Sequence, residues 1–197
     1  APAADRRLEG EEIAPGLYYT EAWTPWPRQD ALLLHGIGQG EVERERVLAF
    51  DTETTGLEWR KGNRVVEIGC VELVERRPTG RNFHRYLNPE RDFEEGAREV
   101  TGLSLEFLAD KPLFADVVAE FIEFVDGAEL VIHNAAFDMG FLEAEFARCE
   151  GVGKLGDRVR VLDSLEMARQ RYPGQRNSLD ALCRRLGVDN AHRQLHG

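Results

Sequence analysis

The sequence predicts a mixed α/β fold, a sheet of five strands with helices packed on its faces. Three observations lead there. The all-apolar run Val47-Leu48-Ala49-Phe50 has the character of a strand buried on both faces. Apolar residues at helical spacing from Leu113 to Val125 mark an amphipathic helix. Turn and cap residues then divide the chain into the order βββαβαβαα, an antiparallel start followed by alternating helices and strands.

Val47–Phe50 is the first strand. Arg64–Val74 supplies the second, rich in β-branched residues with Val65, Val66, Ile68, Val71 and Val74. Pro78-Thr79-Gly80 is the expected turn, and Asn82–Leu87 the third strand of a meander. Pro112 suits the opening turn of the first helix, whose stripe is Leu113, Phe114, Val117, Val118, Phe121, Ile122 and Val125, and Asp126-Gly127 ends it. Glu129–His133 is a strand, with Asn134 as the expected cap of a helix over Ala135–Arg148. Val159–Leu162 is the last strand. Helices over Ser164–Arg171 and Ser178–Leu186 follow, divided by Tyr172-Pro173-Gly174, and Gly187 terminates the second.

The first 46 residues read differently. Pro15-Gly16, Trp23-Thr24-Pro25-Trp26-Pro27 and the glycines of His35-Gly36-Ile37-Gly38-Gln39-Gly40 interrupt any periodicity. Residues 1–46 are expected to be an irregular arm, with Tyr18, Tyr19, Trp23 and Trp26 offering surface to pack; residues 47–197 form the domain.

A chain of 197 residues with 42% hydrophobic and 31% charged residues can bury a core, which excludes a disordered chain. No apolar run approaches the ~20 residues of a membrane helix, and no basic-then-apolar leader opens the sequence, so a soluble protein without a membrane partner is expected. Cys70, Cys149 and Cys183 are far apart and lack metal spacing; buried reduced thiols in the cytoplasm are the expectation. A net charge of −11 argues against holding nucleic acid by bulk electrostatics. It leaves room for an enzyme that touches only a strand end through carboxylates that attract cations.

Asp51 and Glu53 come at the end of the first strand, where residues i and i+2 project to one side. Two acids so close repel each other unless a cation neutralises them, and hard ions such as Mg²⁺ or Mn²⁺ take oxygen ligands of this kind. Read alone, they are also ordinary charges opening a solvated loop. Thr54-Thr55-Gly56-Leu57 adds hydroxyls and a glycine that permits close backbone approach. In His133-Asn134-Ala135-Ala136-Phe137-Asp138 a strand ends and a helix begins. There Asp138 reads as a helix-dipole partner, Asn134 as a cap and His133 as a half-buried histidine. His192 and His196 stand in the tail without zinc spacing.

Taken in order, the segments Phe50-Asp51-Thr52-Glu53-Thr54-Thr55-Gly56, Val66-Glu67-Ile68-Gly69, Val131-Ile132-His133-Asn134-Ala135-Ala136-Phe137-Asp138, Asp163-Ser164-Leu165, Asn177-Ser178-Leu179-Asp180 and Leu195-His196-Gly197 resemble the DEDDh 3′→5′ exonucleases. Within them, the resemblance is to the epsilon proofreading subunits of bacterial replicative DNA polymerases. It runs from about Val47 to the end of the sequence. It implies an RNase H-like fold with strand order 3-2-1-4-5 and removal of nucleotides from DNA 3′ ends with two divalent cations, Mg²⁺ or Mn²⁺. By position, Asp51, Glu53 and Asp138 become catalytic metal ligands and His196 the general base, a role that a neutral imidazole near pH 7 suits. Thr54, Thr101, Asn134 and Phe137 become contacts to the terminal nucleotide. The implied partners are a single-stranded DNA 3′ end and a polymerase catalytic subunit.

The sequence departs from that pattern in two places. The family's last motif carries an aspartate five residues beyond the histidine, past Gly197, so the sequence as given is expected to lack the final helix and its acid. Thr101 precedes Gly102 where proofreading subunits carry histidine. Two other readings stand beside the first: an exoribonuclease of the RNase T or oligoribonuclease kind, and a catalytically weak module that binds a polymerase.

Overall fold

The structure, a computed structural model, describes residues 11–14, 17–19 and 46–188. Two short strands come first, β1 (Glu11–Ala14) and β2 (Leu17–Tyr19), paired antiparallel where an irregular arm is expected. The main sheet is built from β3 (Arg46–Thr54), β4 (Val65–Val74), β5 (Arg77–Tyr86), β6 (Glu129–Ile132) and β7 (Arg160–Asp163). Its order is β5-β4-β3-β6-β7, which is 3-2-1-4-5 when strands are counted from β3. Central β3 runs antiparallel to β4 and parallel to β6.

Helices α1 (Ala97–Thr101) and α2 (Leu105–Leu108) lie between β5 and α3 (Phe114–Val125), followed by α4 (Ala135–Phe146), α5 (Ser164–Arg171) and α6 (Leu179–Leu186). The core lies between one face of the sheet and helices α3 and α4: Leu48, Phe50, Ile68, Cys70, Leu130 and Ile132 meet Phe114, Phe121, Phe141, Leu142 and Phe146. Phe121 is wholly buried at the centre of this cluster, its ring 5.4–6.4 Å from those of Phe50, Phe83, Phe114 and Phe146. Fully burying one such side chain contributes roughly 1.5–3 kcal/mol. The Asp116 carboxylate accepts from the Leu113 backbone N–H and so fixes the start of α3 just after Pro112.

Several elements differ from their expected form. The first strand extends past Phe50 to Thr54, so Asp51 and Glu53 lie within β3 rather than after it. The hairpin turn is Glu75-Arg76, both at positive φ, and Pro78-Thr79-Gly80 belongs to β5. Proline is tolerated there because β5 is the sheet edge. Helices α1 and α2 have no counterpart in the expected order. Cys70 and Cys183 are buried thiols as expected, while Cys149 is partly exposed; all three are free. No helix of the described residues is long and apolar enough to cross a membrane.

Candidate active site

The site follows from a mismatch in strand length. β6 pairs with β3 only from Val47 to Phe50, whereas β4 continues alongside β3 through Glu53. Residues 51–54 of β3 therefore run on past the end of β6, and their backbone groups on that side need another partner. Helix α4, which starts just after β6, supplies it. Asp138 Oδ1 accepts from the Thr52 backbone N–H at 3.1 Å and from Thr52 Oγ1 at 2.6 Å. A carboxylate is thus set against the strand at the residue between Asp51 and Glu53.

Alternation along β3 separates the roles. Leu48, Phe50, Thr52 and Thr54 are buried on the core side; Asp51 and Glu53 face the opposite way and are partly accessible. Asp138 is 2% exposed. Burial pushes its carboxyl up to about 6, against the pull of the two Thr52 hydrogen bonds and with a further push from Asp163. An acid held so high is one whose charge lacks solvation, and a nearby cation offsets that cost. Asp138, in the first turn of α4, is thus also tied to β3 through Thr52.

Among the described residues, no three His, Cys, Asp or Glu side chains are gathered into a ready metal cluster. Asp51 and Glu53 each make contacts of their own. The donor set nevertheless fits a hard divalent ion: all its atoms are carboxylate oxygens, two acids share one side of a strand, and the third is buried against the residue between them.

Asn134 is not the side-chain cap expected of it. It sits in the left-handed region (φ 72°, ψ 52°), and its side chain caps nothing. The cap comes from β7: Asp163 Oδ1 accepts from Asn134 N at 3.2 Å and Asp163 Oδ2 from Ala135 N at 3.0 Å. The same carboxylate accepts from Leu165 N and Glu166 N at the start of α5. One side chain closes two helix N-termini and holds α4 against β7. In the sequence, Asp163 stands within the motif Asp163-Ser164-Leu165; an aspartate between a strand and a helix signals a cap for its own helix, but nothing local reveals the second. Asp163→Ala is expected to destabilise the fold by ~2 kcal/mol, the sum of two modest caps, read as the shift in a urea denaturation midpoint.

The remaining predicted positions are placed as follows. Thr54 is buried, its hydroxyl donating to Gly56 O at 2.7 Å. Thr101 is buried at the end of α1, and its Oγ1 accepts from Leu103 N. Phe137 is half-buried, its ring 4.9 Å from that of Phe141. His133 is half-buried as expected, with Nδ1 3.1 Å from Ser164 Oγ, and burial holds its pKa below the ordinary value. His192 and His196 lie outside the described residues. A Cβ at Gly56 would run into the Glu94 carboxylate and Asn63 Nδ2, so a side chain there would have to displace both. Leu57 follows Gly56 at 79% exposure, and Val100 on α1 is 66% exposed, so two apolar side chains face solvent. Sequence pattern alone gives no signal for such exposure.

The family model described as Exonuclease matches residues 48–197. The chain is 48% identical over 160 residues to the DNA polymerase III subunit epsilon of Haemophilus influenzae, covering 79% of this chain and 62% of that one. With the protein of the same name from Escherichia coli K12 it shares 50% identity over 157 residues, covering 77% of this chain and 65% of that one. The chain therefore spans less than two thirds of the length of these relatives. A crystal structure of exonuclease I in complex with an inhibitor superposes with a TM-score of 0.65 at 17% identity, covering 79% of this chain and 40% of that one, a likeness of fold. The sheet order, the strand-end carboxylates and a match over residues 48–197 establish that the chain belongs to the exonuclease family.

Proposed function

We propose that the protein removes nucleotides from DNA 3′ ends as the proofreading exonuclease of a replicative DNA polymerase, in the cytoplasm. The observation that carries the reading is the Asp138 carboxylate seated on Thr52, between Asp51 and Glu53. In this reading residues 47–197 are the catalytic domain and residues 1–46 an arm. Its polymerase partner is a catalytic subunit, in keeping with relatives named as polymerase III epsilon subunits.

Asp51, Glu53 and Asp138 would hold two divalent cations, Mg²⁺ or Mn²⁺. With cations bound, the site gains stabilisation of the charge that builds on the attacking and leaving oxygens. The chain's own groups do the rest. Thr52 fixes the Asp138 carboxylate through two hydrogen bonds, so that its orientation does not depend on solvent. The Gly56 turn lets the backbone after β3 pack tightly against Asn63 and Glu94 and leaves Leu57 facing solvent. Thr54, Thr101, Asn134 and Phe137 surround the terminal nucleotide. His196 takes the proton from the attacking water, whose oxygen bonds to the scissile phosphorus as the P–O3′ bond breaks; the 3′ oxygen stays on the shortened strand and takes up a proton from solvent, and the phosphate leaves on the released 5′-monophosphate.

The test uses 5′-labelled single-stranded DNA and RNA of one sequence with Mg²⁺, Mn²⁺ or EDTA. DNA shortened stepwise from its 3′ end, with EDTA abolishing cleavage, is the expected result. Faster loss of RNA would identify an exoribonuclease, and no cleavage with either metal would overturn the hydrolytic reading.

A further inference from the structure

We infer that Glu145 is a positioning residue, whose buried side-chain oxygen, accepting from Arg64 Nε and Val65 N, sets helix α4 at the height and rotation that bring Asp138 onto Thr52. The inference rests on the reading of Asp138 as a site residue.

Glu145 follows Asp138 by seven residues, two helical turns, so both carboxylates lie on the same face of α4. Both are almost wholly buried, at 2% exposure for Asp138 and 1% for Glu145. Each accepts a backbone N–H from a neighbouring strand of the sheet: Asp138 from Thr52 of β3, Glu145 from Val65 of β4 at 3.2 Å. Arg64 Nε donates to the same Glu145 oxygen at 2.7 Å, while Arg64 Nη1 reaches Pro89 O at 3.3 Å. Phe141 and Leu142, wholly buried between the two anchors, pack through contacts that carry no direction of their own. Direction comes from the polar anchors.

Stability does not account for this arrangement. Glu145 Oε2 is buried with no hydrogen-bond partner among the described residues, with Arg148 Nη1 3.8 Å from it. A buried carboxylate with an unsatisfied oxygen is poorer for stability than a well-packed apolar side chain of the same volume. What it supplies is a single permitted register of α4 on the sheet, and with it one position for Asp138.

Amide hydrogen exchange of the cation-free protein tests this without reference to activity. The Thr52 N–H reports on the Asp138 contact and the Phe121 N–H of α3 on global opening. In Arg64→Met/Glu145→Met, Thr52 protection should fall ~10-fold or more relative to Phe121, a local opening rather than a global one. In Glu145→Gln, which still accepts from Val65 N, it should stay within ~3-fold of the parent. Mn²⁺ affinity measured by calorimetry should follow the same order, weaker by ~10–100-fold in the double variant. If the double variant fails to fold, Glu145→Asp, which keeps the charge and shortens the reach by one carbon, makes the same comparison. Unchanged Thr52 protection in a folded variant would overturn the inference, whatever the activity. Loss of Thr52 protection with no Mn²⁺ binding even by the parent would uphold it while defeating the proposed function.

Discussion

Asp51→Ala should abolish 3′→5′ cleavage while the fold remains. Groups one step removed from a metal ligand are worth ~10–100-fold, so loss of a ligand itself should exceed 100-fold in kcat, read from single-turnover cleavage of labelled single-stranded DNA at saturating Mn²⁺. Asp51 contributes little to the core: it is partly exposed and projects from the side of β3 opposite Leu48 and Phe50. Removing one of two neighbouring acids relieves repulsion. The cation-free variant should therefore melt no lower than the parent. A sharp fall in its melting temperature would instead assign Asp51 a structural role.

The second large effect is on stability and involves Asp138. Its carboxyl titrates near 6 in the fold, above the ordinary 3.8, because burial disfavours the charge. The native state thus retains a proton that the unfolded chain releases between roughly pH 4 and 6. Stability from this group is fully present below about pH 4, declines as pH rises through about 6, and is gone at pH 7. The shift corresponds to ~3 kcal/mol. Asp138→Asn keeps an acceptor for Thr52 and removes the charge. In EDTA the variant should be more stable than the parent at pH 7 by up to ~3 kcal/mol, and the advantage should vanish at pH 4. Mn²⁺ should restore the parent and leave the variant unmoved. Equal pH dependence of the two proteins would refute the burial argument.

Periodicity and punctuation made most of the sheet and helices legible. The apolar stripe from Phe114 to Val125 and the Ser164–Arg171 helix appear where the sequence places them. Local chemistry misled where tertiary context decides. Glu75-Arg76 adopts positive φ because the β4–β5 register leaves two residues for the turn, and neither residue type signals it. Pro78-Thr79-Gly80 carries every local mark of a turn and lies in an edge strand. Asn134 has a capping residue type, but Asp163, 29 residues away, does the capping. The i,i+2 pair Asp51 and Glu53 was readable from strand period alone. That Asp138 packs on Thr52 was not, since it depends on β6 being shorter than β3. The RNase H-like order and the roles of the acids came from motif resemblance, and the structure supplies the physical reason that Asp138 lies beside Thr52.

The most direct test is anomalous scattering at the manganese edge from crystals soaked in Mn²⁺ with a nucleoside 5′-monophosphate. Two peaks ~3.5–4 Å apart, in contact with the carboxylates of Asp51, Glu53 and Asp138, are the predicted result. Manganese elsewhere on the surface, or peaks that leave Asp51 or Asp138 without contact to a metal, would contradict the account of the site.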